Sequence, residues 1–308
     1  MIDMKKAGEW LVGTLGLEVA GKPIGELLRE HWRLPKKTVH LLFQHKEILL
    51  DGSPAAQHTR TAEGQEIRLR VCQPEPLGLE PVRGGLDLLY EDDHLLVVNK
   101  PAGLLLHPTE SHHHMTLDHL VAGHFSETGT LAKVRHVHRL DQDTSGAVLY
   151  AKHALASALL DDLLRLRSIK RSYVAYVHGH PANERGTITQ PIGKDRHHPA
   201  RRRVTPSGEH AVTHYRVMER YRQAAKLECH LDTGRTHQIR VHLSYLGHPL
   251  IGDTLYGGKA ADFNRQALHA AVLHFVHPFG GEQMKVEAPL PSDLKRLQET
   301  LAEVPRRT

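Results

Sequence analysis

The spacing of hydrophobic residues within the first 72 positions changes from a helical period to a strand period. Two groups of apolar residues three or four apart predict two helices: Ile24, Leu27 and Leu28, then Val39, Leu42 and Phe43. Thr38 is placed to cap the second helix. The pattern then predicts strands at 48–52 and 64–71. Residues 1–72 are therefore expected to form a small α+β domain.

Residues 73–85 interrupt this periodicity with three prolines and a Gly-Gly pair, so they are expected to be a linker. Beyond them, short apolar runs predict strands at 86–90, 95–99, 173–177, 211–217, 226–231, 273–276 and 284–287. Leucine-rich helical stripes lie at 155–166, 239–246 and 294–301. Because strands outnumber helices and many adjoin in sequence, residues 86–299 are predicted to be α+β, with a mostly antiparallel, mixed, twisted sheet flanked by helices. Residues 300–308 are expected to be a helix end and a frayed tail.

Composition adds a mild basic bias to this picture. Among 308 residues, 40 Lys and Arg face 35 Asp and Glu, and 40% of residues are hydrophobic, which supports substantial cores. The basic residues cluster between Lys194 and Arg203, and prolines and glycines on both sides predict an exposed loop there. Arg201, Arg202 and Arg203 could contact an RNA backbone, or the loop could simply be solvated.

Cysteine, histidine and apolar content exclude several classes of protein. With only Cys72 and Cys229, a disulfide framework is not expected, and a reducing, cytoplasmic location is favoured. No apolar run approaches the roughly 20 residues that cross a bilayer. The triplet His112-His113-His114 suggests a metal, but adjacent histidines cannot all face one ion and no spaced carboxylate or cysteine completes a ligand set. No metal site is therefore expected.

The strongest candidate for chemistry is the run His138-Arg139-Leu140-Asp141-Gln142-Asp143-Thr144-Ser145-Gly146. It places the carboxylate of Asp141 after a histidine and an arginine, just before small turn-forming residues. The apolar segment 147–150 then predicts a strand, so a rigid element would hold the loop. This arrangement indicates an active-site loop.

The run is similar to the signature of the RluA-type RNA pseudouridine synthases, and three further segments agree in order and spacing. They are Asn99-Lys100-Pro101-Ala102-Gly103-Leu104, Lys170-Arg171-Ser172-Tyr173-Val174-Ala175 and Gly234-Arg235-Thr236-His237-Gln238-Ile239-Arg240. The resemblance implies a pseudouridine synthase fold and the isomerisation of uridine in RNA without a cofactor. The order of elements in the first domain resembles a small RNA-binding domain named for a ribosomal small-subunit protein.

The resemblance also assigns catalytic roles. Asp141 is the expected catalytic carboxylate, which could attack ribose, attack uracil or assist proton removal from the sugar. Arg240 is its expected ion-pair partner, with Arg235 as the second choice, near a helix capped by Thr236. Tyr173 is expected to stack on the target uracil and to accept or relay the proton of carbon five.

Further residues are expected to bind RNA. Arg139 would fill the space left by a flipped-out base, or alternatively clamp a phosphate. Lys100 is expected to support the site and contact the RNA backbone. His138 and Arg235 are further candidates in the matching motifs. Lys36 and Lys37 would belong to a cationic helical face of the first domain, unless that face is only solvated.

Three functional hypotheses remain open at this point. The first is the isomerisation of specific uridines in structured RNA, with ribosomal RNA ahead of transfer RNA. The second is an inactive RNA-assembly factor, although Asp141, Tyr173 and Arg240 are all present. The third is a metal-dependent nuclease that uses Asp141 and Asp143. A monomer is expected.

Overall fold

A computed structural model describes residues 4–110, 112–260 and 263–303, and its first 70 residues contain one antiparallel sheet. The strands of this sheet are β1 (Lys5–Ala7), β2 (Trp10–Thr14), β3 (Ile48–Leu50), β4 (Ser53–Pro54) and β5 (Glu66–Arg70). Their order is β1-β2-β5-β3-β4. The helical segments are a short turn at Leu17–Val19, α1 (Ile24–Glu26), a π-helical turn at Leu27–His31 and α2 (Lys36–Gln44).

Two features of this domain differ from the sequence prediction. Strands β1 and β2 precede the helices, and β2 pairs along its whole length with β5. Their sequences of three and five residues are too short to show a clear period, so the pattern did not indicate them. Helix α2 begins immediately after Pro35, so Thr38 lies inside the helix rather than at its N-cap.

The rest of the chain contains a ten-stranded sheet and a separate two-stranded hairpin. The strands of the large sheet are β6 (Leu88–Glu91), β7 (Leu95–Lys100), β8 (Arg135–His136), β9 (Ser145–Ala151), β10 (Lys170–His178), β11 (Arg185–Ile188), β14 (Thr213–Arg220), β15 (Ala224–Leu231), β16 (Leu268–Val276) and β17 (Gln283–Glu287). The hairpin is β12 (Ile192–Lys194) and β13 (Arg202–Val204). The main path of the sheet runs β11-β14-β15-β10-β16-β9-β7-β6. Strands β9 and β16 are parallel and the other strand pairs among the described residues of this sheet are antiparallel, so the predicted mostly antiparallel mixed sheet is confirmed.

Helices cover both faces of the large sheet. They are α3 (Leu117–Glu127), α4 (Ala154–Arg165), α5 (Gln238–Tyr245) and α6 (Ser292–Glu303). Along β7, Leu95 and Val97 join a core that includes α4, whereas Leu96 and Val98 join a core with α3 and α5. Alternate side chains of a strand point to opposite faces, so both faces of β7 are buried. Helix α3 was not predicted, and the predicted frayed tail at 304–308 lies outside the described residues.

Residues 73–85 contain no helix or strand, but they are hydrogen-bonded to the large domain. The Val82 amide donates to the His119 carbonyl, and the Glu75 amide donates to the Leu131 carbonyl. Gly123 permits this contact, because a Cβ there would lie 2.1 Å from the Val82 carbonyl oxygen. This segment therefore lies along α3 rather than bridging two domains freely.

The predicted basic loop at 194–203 is a hairpin rather than an irregular loop. Strands β12 and β13 flank its turn, and the Arg202 amide donates to the Tyr256 hydroxyl at 2.9 Å. This bond attaches the hairpin to the segment that follows α5.

Across the part of the chain that the structure describes, no helix combines the length and apolar character needed to span a membrane.

A cluster of buried histidines lies beside the small domain. His94 stacks on Phe279 with ring centroids 4.1 Å apart, and its Nδ1 lies 3.1 Å from Nε2 of His153. Nδ1 of His153 accepts a hydrogen bond from the Ala156 amide at the start of α4. Nε2 of His153 therefore carries the ring proton and donates it to Nδ1 of His94. Burial lowers the pKa of His153 to about 3, with the nearby His94 adding to the effect. The cluster therefore depends on a neutral His153.

The stability of the protein should fall in mild acid for this reason. Above its usual pKa of 6.5, His153 is neutral in both folded and unfolded chains, and it contributes nothing to the pH dependence. Below pH 6.5 the unfolded chain alone binds the proton, so the free energy of unfolding should decrease by about 1.4 kcal/mol per pH unit for each such group. In urea melts between pH 7.5 and 5, His153→Asn should flatten this slope, while His58→Asn, at an exposed position, should leave it unchanged. An unchanged slope in His153→Asn would contradict the assignment.

Candidate active site

The loop that carries Asp141 ends in a turn that leads directly into the centre of the large sheet. The Thr144 amide donates to the Asp141 carbonyl, and β9 begins at the next residue. Gly146 has a φ of 118°, and a Cβ there would lie 2.2 Å from the Ala270 carbonyl oxygen. Only glycine allows β9 and β16 to approach this closely. The sheet therefore fixes the base of the loop.

Lys100 ties the Asp141 loop to the turn after β7. Its fully buried ammonium donates to the carbonyls of Pro101, Leu104 and Gln142 at 2.9, 2.7 and 2.6 Å. Burial lowers the pKa of Lys100 to about 7, against the opposing charges of Asp143 and Asp141. Three donated bonds use all three protons, so the predicted contact of Lys100 with an RNA backbone is wrong for this arrangement. The sequence showed the charge of the lysine but not its burial.

Arg265 supports the same loop from the opposite direction. Its Nη1 donates to the Asp143 carbonyl at 3.0 Å and to the Leu268 carbonyl at 3.3 Å. Its Nε donates to Asp293 at 2.7 Å, which links the loop to the first turn of α6. The sequence analysis missed Arg265 because it belongs to none of the four motifs. Apart from residues close to it in the chain, its hydrogen-bond partners lie more than 25 positions away in the sequence.

Arg240 lies between two carboxylates, as the motif predicted for one of them. Its Nε and Nη2 donate to both oxygens of Asp253 at 2.7 and 2.9 Å, and its Nη1 donates to Asp141 at 3.2 Å. Arg240 and Asp253 are buried, whereas Asp141 is partly exposed. Burial acts to lower the pKa of Arg240, but the hydrogen bonds and charge of Asp253, with a further contribution from Asp141, raise it. The guanidinium is therefore permanently charged and fixed in orientation.

His237 and Tyr256 complete the surroundings of this ion pair. His237 precedes α5 with a left-handed φ of 58°, so the predicted capping residue Thr236 lies one position too early. Its Nδ1 lies 2.8 Å from the Tyr256 hydroxyl, and its Nε2 lies 3.8 Å from Asp141. Burial lowers the pKa of His237, although Asp141 opposes this. The Tyr256 ring lies 5.0 Å from the Arg240 guanidinium, a cation–π contact.

Tyr173 lies on β10 and lines the same cleft as Asp141 and Arg240. Its side chain is 4% exposed. Burial raises the pKa of the hydroxyl, which Arg171 opposes and Asp141 reinforces. Tyr173 therefore presents a protonated phenol at neutral pH, with a flat ring at the wall of the cleft.

Two clefts meet at Asp141. The first, of about 560 Å3, extends past Tyr173 and Arg171, and the second, of about 430 Å3, extends past His107 and Arg265. Arg139 lines both clefts and is exposed. Within the described ranges the side chain of Arg139 makes no hydrogen bond or ion pair. It is thus free to move at the point where the two clefts join.

The other predicted RNA contacts lie in four different parts of the structure. His138 is buried and accepts the Leu149 amide at Nε2, and burial lowers its pKa to about 3. It is therefore neutral, and its predicted role as an RNA contact is not supported by this position. Arg235 lies at the rim of the first cleft, where it pairs with Glu209. Of the hairpin arginines, the Arg202 amide donates to the Tyr256 hydroxyl and the Arg201 guanidinium lies 5.9 Å from the centre of the Tyr256 ring, whereas Arg203 is exposed on β13. Lys36 and Lys37 are exposed on α2 of the small domain.

The structure brings a carboxylate to the histidine triplet, contrary to the argument from sequence. Among the described residues, Glu110, His112 and His113 offer ligand atoms that all lie within 4.8 Å of one another. They line neither of the two clefts at Asp141. The absence of a metal or cofactor from the chemistry stays a prediction.

Comparisons with known proteins agree with this geometry. Residues 94–245 match the family model described as RNA pseudouridylate synthase, and residues 14–67 match the RluD ribosomal pseudouridine synthase N-terminal domain. The uncharacterized RNA pseudouridine synthase YhcT of Bacillus subtilis is 43% identical over 303 residues, which cover 97% of this chain and 96% of that protein. Ribosomal large subunit pseudouridine synthase D of Xanthomonas campestris is 39% identical over 271 residues, covering 83% and 82%. The solved structure of human RNA Pseudouridylate Synthase Domain Containing 1 is 28% identical with a TM-score of 0.57, covering 75% of this chain and all of that one.

Replacing Gly146 by alanine should show how strongly the site depends on this close strand contact. Both the steric overlap with Ala270 and the unfavourable φ oppose a Cβ, so the free energy of unfolding should fall by about 2–4 kcal/mol. Gly129→Ala is the matched control, because its φ is also positive but nothing lies within 4 Å of the added atom. Chemical denaturation of both variants measures the difference. Equal losses would show that the contact with β16 contributes nothing.

Proposed function

Because this chain belongs to the RNA pseudouridine synthase family, we propose that it converts specific uridines of large-subunit ribosomal RNA into pseudouridine. The observation that carries this proposal is the partly exposed Asp141 carboxylate, held by Arg240 at the junction of two clefts. The choice of ribosomal RNA is supported by the match of residues 14–67 and by the relatives named for the ribosomal large subunit.

The reaction begins with a uridine that leaves its stacked position and enters the cleft. Unstacking costs a few kcal/mol, so the enzyme must offer something in exchange. Arg139 is exposed, free of ion pairs among the described residues, and placed where the clefts join. Its planar guanidinium can stack in the space that the base leaves, or can bind a neighbouring phosphate.

Asp141 then acts on the flipped nucleotide. The bond between N1 of uracil and C1′ of ribose breaks, a bond between C5 and C1′ forms, the proton of C5 leaves, and N1 gains a proton. Whether Asp141 attacks the sugar, attacks the base or removes a sugar proton, it must be ionised and correctly aimed. Arg240 supplies the aim, because Asp253 fixes its guanidinium while Nη1 remains directed at Asp141.

Tyr173 holds the detached uracil and serves the last proton transfer. Its ring can stack on the base, so the base can turn without leaving the cleft. Because burial raises the pKa of the hydroxyl, the phenol stays protonated and suits a proton relay better than direct removal of the C5 proton.

We further propose that the protein acts as a monomer, since one chain supplies Asp141, Arg240, Tyr173 and Arg139. The exposed Lys36 and Lys37 of α2 would bind RNA outside the cleft and help to select the substrate. The hairpin arginines would add backbone contacts near the site.

The central test is the release of tritium from C5-labelled uridine in unmodified transcripts of bacterial large-subunit ribosomal RNA, in the presence of a chelator. Wild type should release tritium at discrete uridines, and Asp141→Asn should be slower by about 10³-fold or more, because the ionised carboxylate is lost. Asp93→Asn, which removes an exposed carboxylate on the β6–β7 turn, should match wild type.

Other outcomes of this experiment have equally definite meanings. Release from transfer RNA transcripts alone would replace the proposed substrate. Tight binding without release from either RNA would indicate an assembly factor. Loss of wild-type activity in chelator alone would restore the metal-dependent hypothesis.

Replacing Asp253 should lower the rate of the reaction rather than weaken substrate binding. Asp253 contacts Arg240, and not the arginines that are proposed to bind RNA. Asp253→Asn removes one charge from the pair and loosens the aim of the guanidinium, so kcat should fall by about 10–100-fold with little change in KM. Asp162→Asn is the matched control, since it removes a carboxylate from the exposed Arg165 pair at the rim of the first cleft. A rise in KM as large as the fall in kcat would contradict a role in aiming Asp141.

A further inference from the structure

Arg171 is a buried arginine in the first cleft to which the mechanism so far gives no role. It lies two positions before Tyr173 on β10, so both side chains point to the same face of the sheet. Both line the cleft that contains Asp141. Arg171 is only 8% exposed, in contrast to the exposed Arg165 and Arg167 on the same cleft wall.

The charge of Arg171 has no carboxylate partner among the residues that the structure describes. Within the described ranges its side chain makes one hydrogen bond, a long one from Nη2 to the Thr233 carbonyl at 3.5 Å, and its buried Nε has no partner there. The two acids of the cleft wall are engaged elsewhere. Asp141 pairs with Arg240, and Asp232 lies 3.1 Å from His214 and 3.8 Å from Arg167.

A buried guanidinium without a counter-ion is unfavourable, because the protein does not replace the water that the charge has lost. Arg240 shows how the same chain compensates a buried arginine, with three bonds to two carboxylates. The backbone at Gly234 lies against one side of the Arg171 guanidinium, since a Cβ there would lie 3.2 Å from Nη1. Arg171 also lines the cleft, so an anion would reach the guanidinium from the cleft side.

We propose that Arg171 binds a phosphate of the substrate RNA, next to the nucleotide whose base stacks on Tyr173. This inference rests on the proposed function, which brings RNA into this cleft. RNA carries one anion per nucleotide, and a guanidinium fork binds a phosphate through two charge-assisted hydrogen bonds. The two-residue step along β10 is about 6.6 Å, which is on the scale of one nucleotide. The uracil carbonyls are neutral and would not compensate the charge.

The first test separates binding from catalysis. Arg171→Met should raise KM for the ribosomal RNA transcript by about 10–100-fold and leave saturating kcat within about threefold, because a phosphate contact positions the RNA. The dependence of log Kd on log salt concentration should become shallower by about 1. Arg171→Lys should restore part of the binding, since an ammonium also attracts phosphate. Arg296→Met, an exposed arginine on α6, removes the same charge outside the cleft and should behave as wild type.

Thermal stability distinguishes this role from a structural one. Because Arg171 has no carboxylate partner in the described part of the chain, Arg171→Met should melt at the same temperature as wild type or higher. A lower melting temperature, with kcat and KM both impaired and no rescue by lysine, would show that Arg171 only supports the fold and would overturn the proposal.

The second test neutralises the phosphate instead of the arginine. Oligonucleotides that contain the mapped uridine would carry one uncharged methylphosphonate, placed in turn at each neighbouring linkage. One such linkage should weaken binding to wild type by about tenfold and have no further effect on Arg171→Met. Equal losses with both proteins at every linkage would refute the contact. Filter binding of the same RNA, with its salt slope, tests Arg171 even where no pseudouridine forms, so a failure of the proposed function is distinguishable.

Discussion

The site depends on one buried guanidinium that is shared unequally between two carboxylates. Asp253 receives two short bonds from Arg240 and is buried, whereas Asp141 receives one longer bond and faces the clefts. One cation between two anions leaves a net negative charge, which is tolerable because Asp141 retains access to solvent. Asp253 therefore fixes the cation, and Asp141 keeps free oxygen lone pairs that face the clefts.

The sheet makes this arrangement rigid at the point where it must be. The parallel contact between β9 and β16 requires Gly146 and places the Asp141 loop at the end of two central strands. Lys100 and Arg265 then hold the loop through backbone carbonyls, one from β7 and one from the segment before β16. Because backbone atoms receive these bonds, Lys100 and Arg265 constrain the path of the loop and leave the side chain of Asp141 unoccupied by them.

Sequence patterns predicted what depends on local periodicity and on motifs, and they missed what depends on tertiary contacts. The leucine stripe of α4 and the central strands follow from spacing, and Asp141 and Arg240 follow from the motifs, although 99 positions separate them. Strands β1 and β2 are too short to show a period. Helix α3 did carry a usable pattern in Leu117, Val121 and Phe125, which was overlooked. The burial of Lys100 and His138 could not be read from sequence, because charged and titratable residues are usually exposed, and the tertiary partners that allow their burial leave no local pattern.

Three arginines of the first cleft differ in how their charge is balanced, and this difference suggests how the enzyme uses its substrate. Arg240 is paired with carboxylates of the protein, Arg139 is exposed to solvent, and Arg171 is buried without a carboxylate partner among the described residues. If every arginine of the cleft were paired with a carboxylate of the protein, the free protein would be more stable. Such a cleft would, however, attract the RNA polyanion less strongly. A cleft that lacks an anion gains most when RNA supplies one. The stability lost in the free enzyme is therefore recovered as binding energy, which can hold the nucleotide in place while Asp141 reacts.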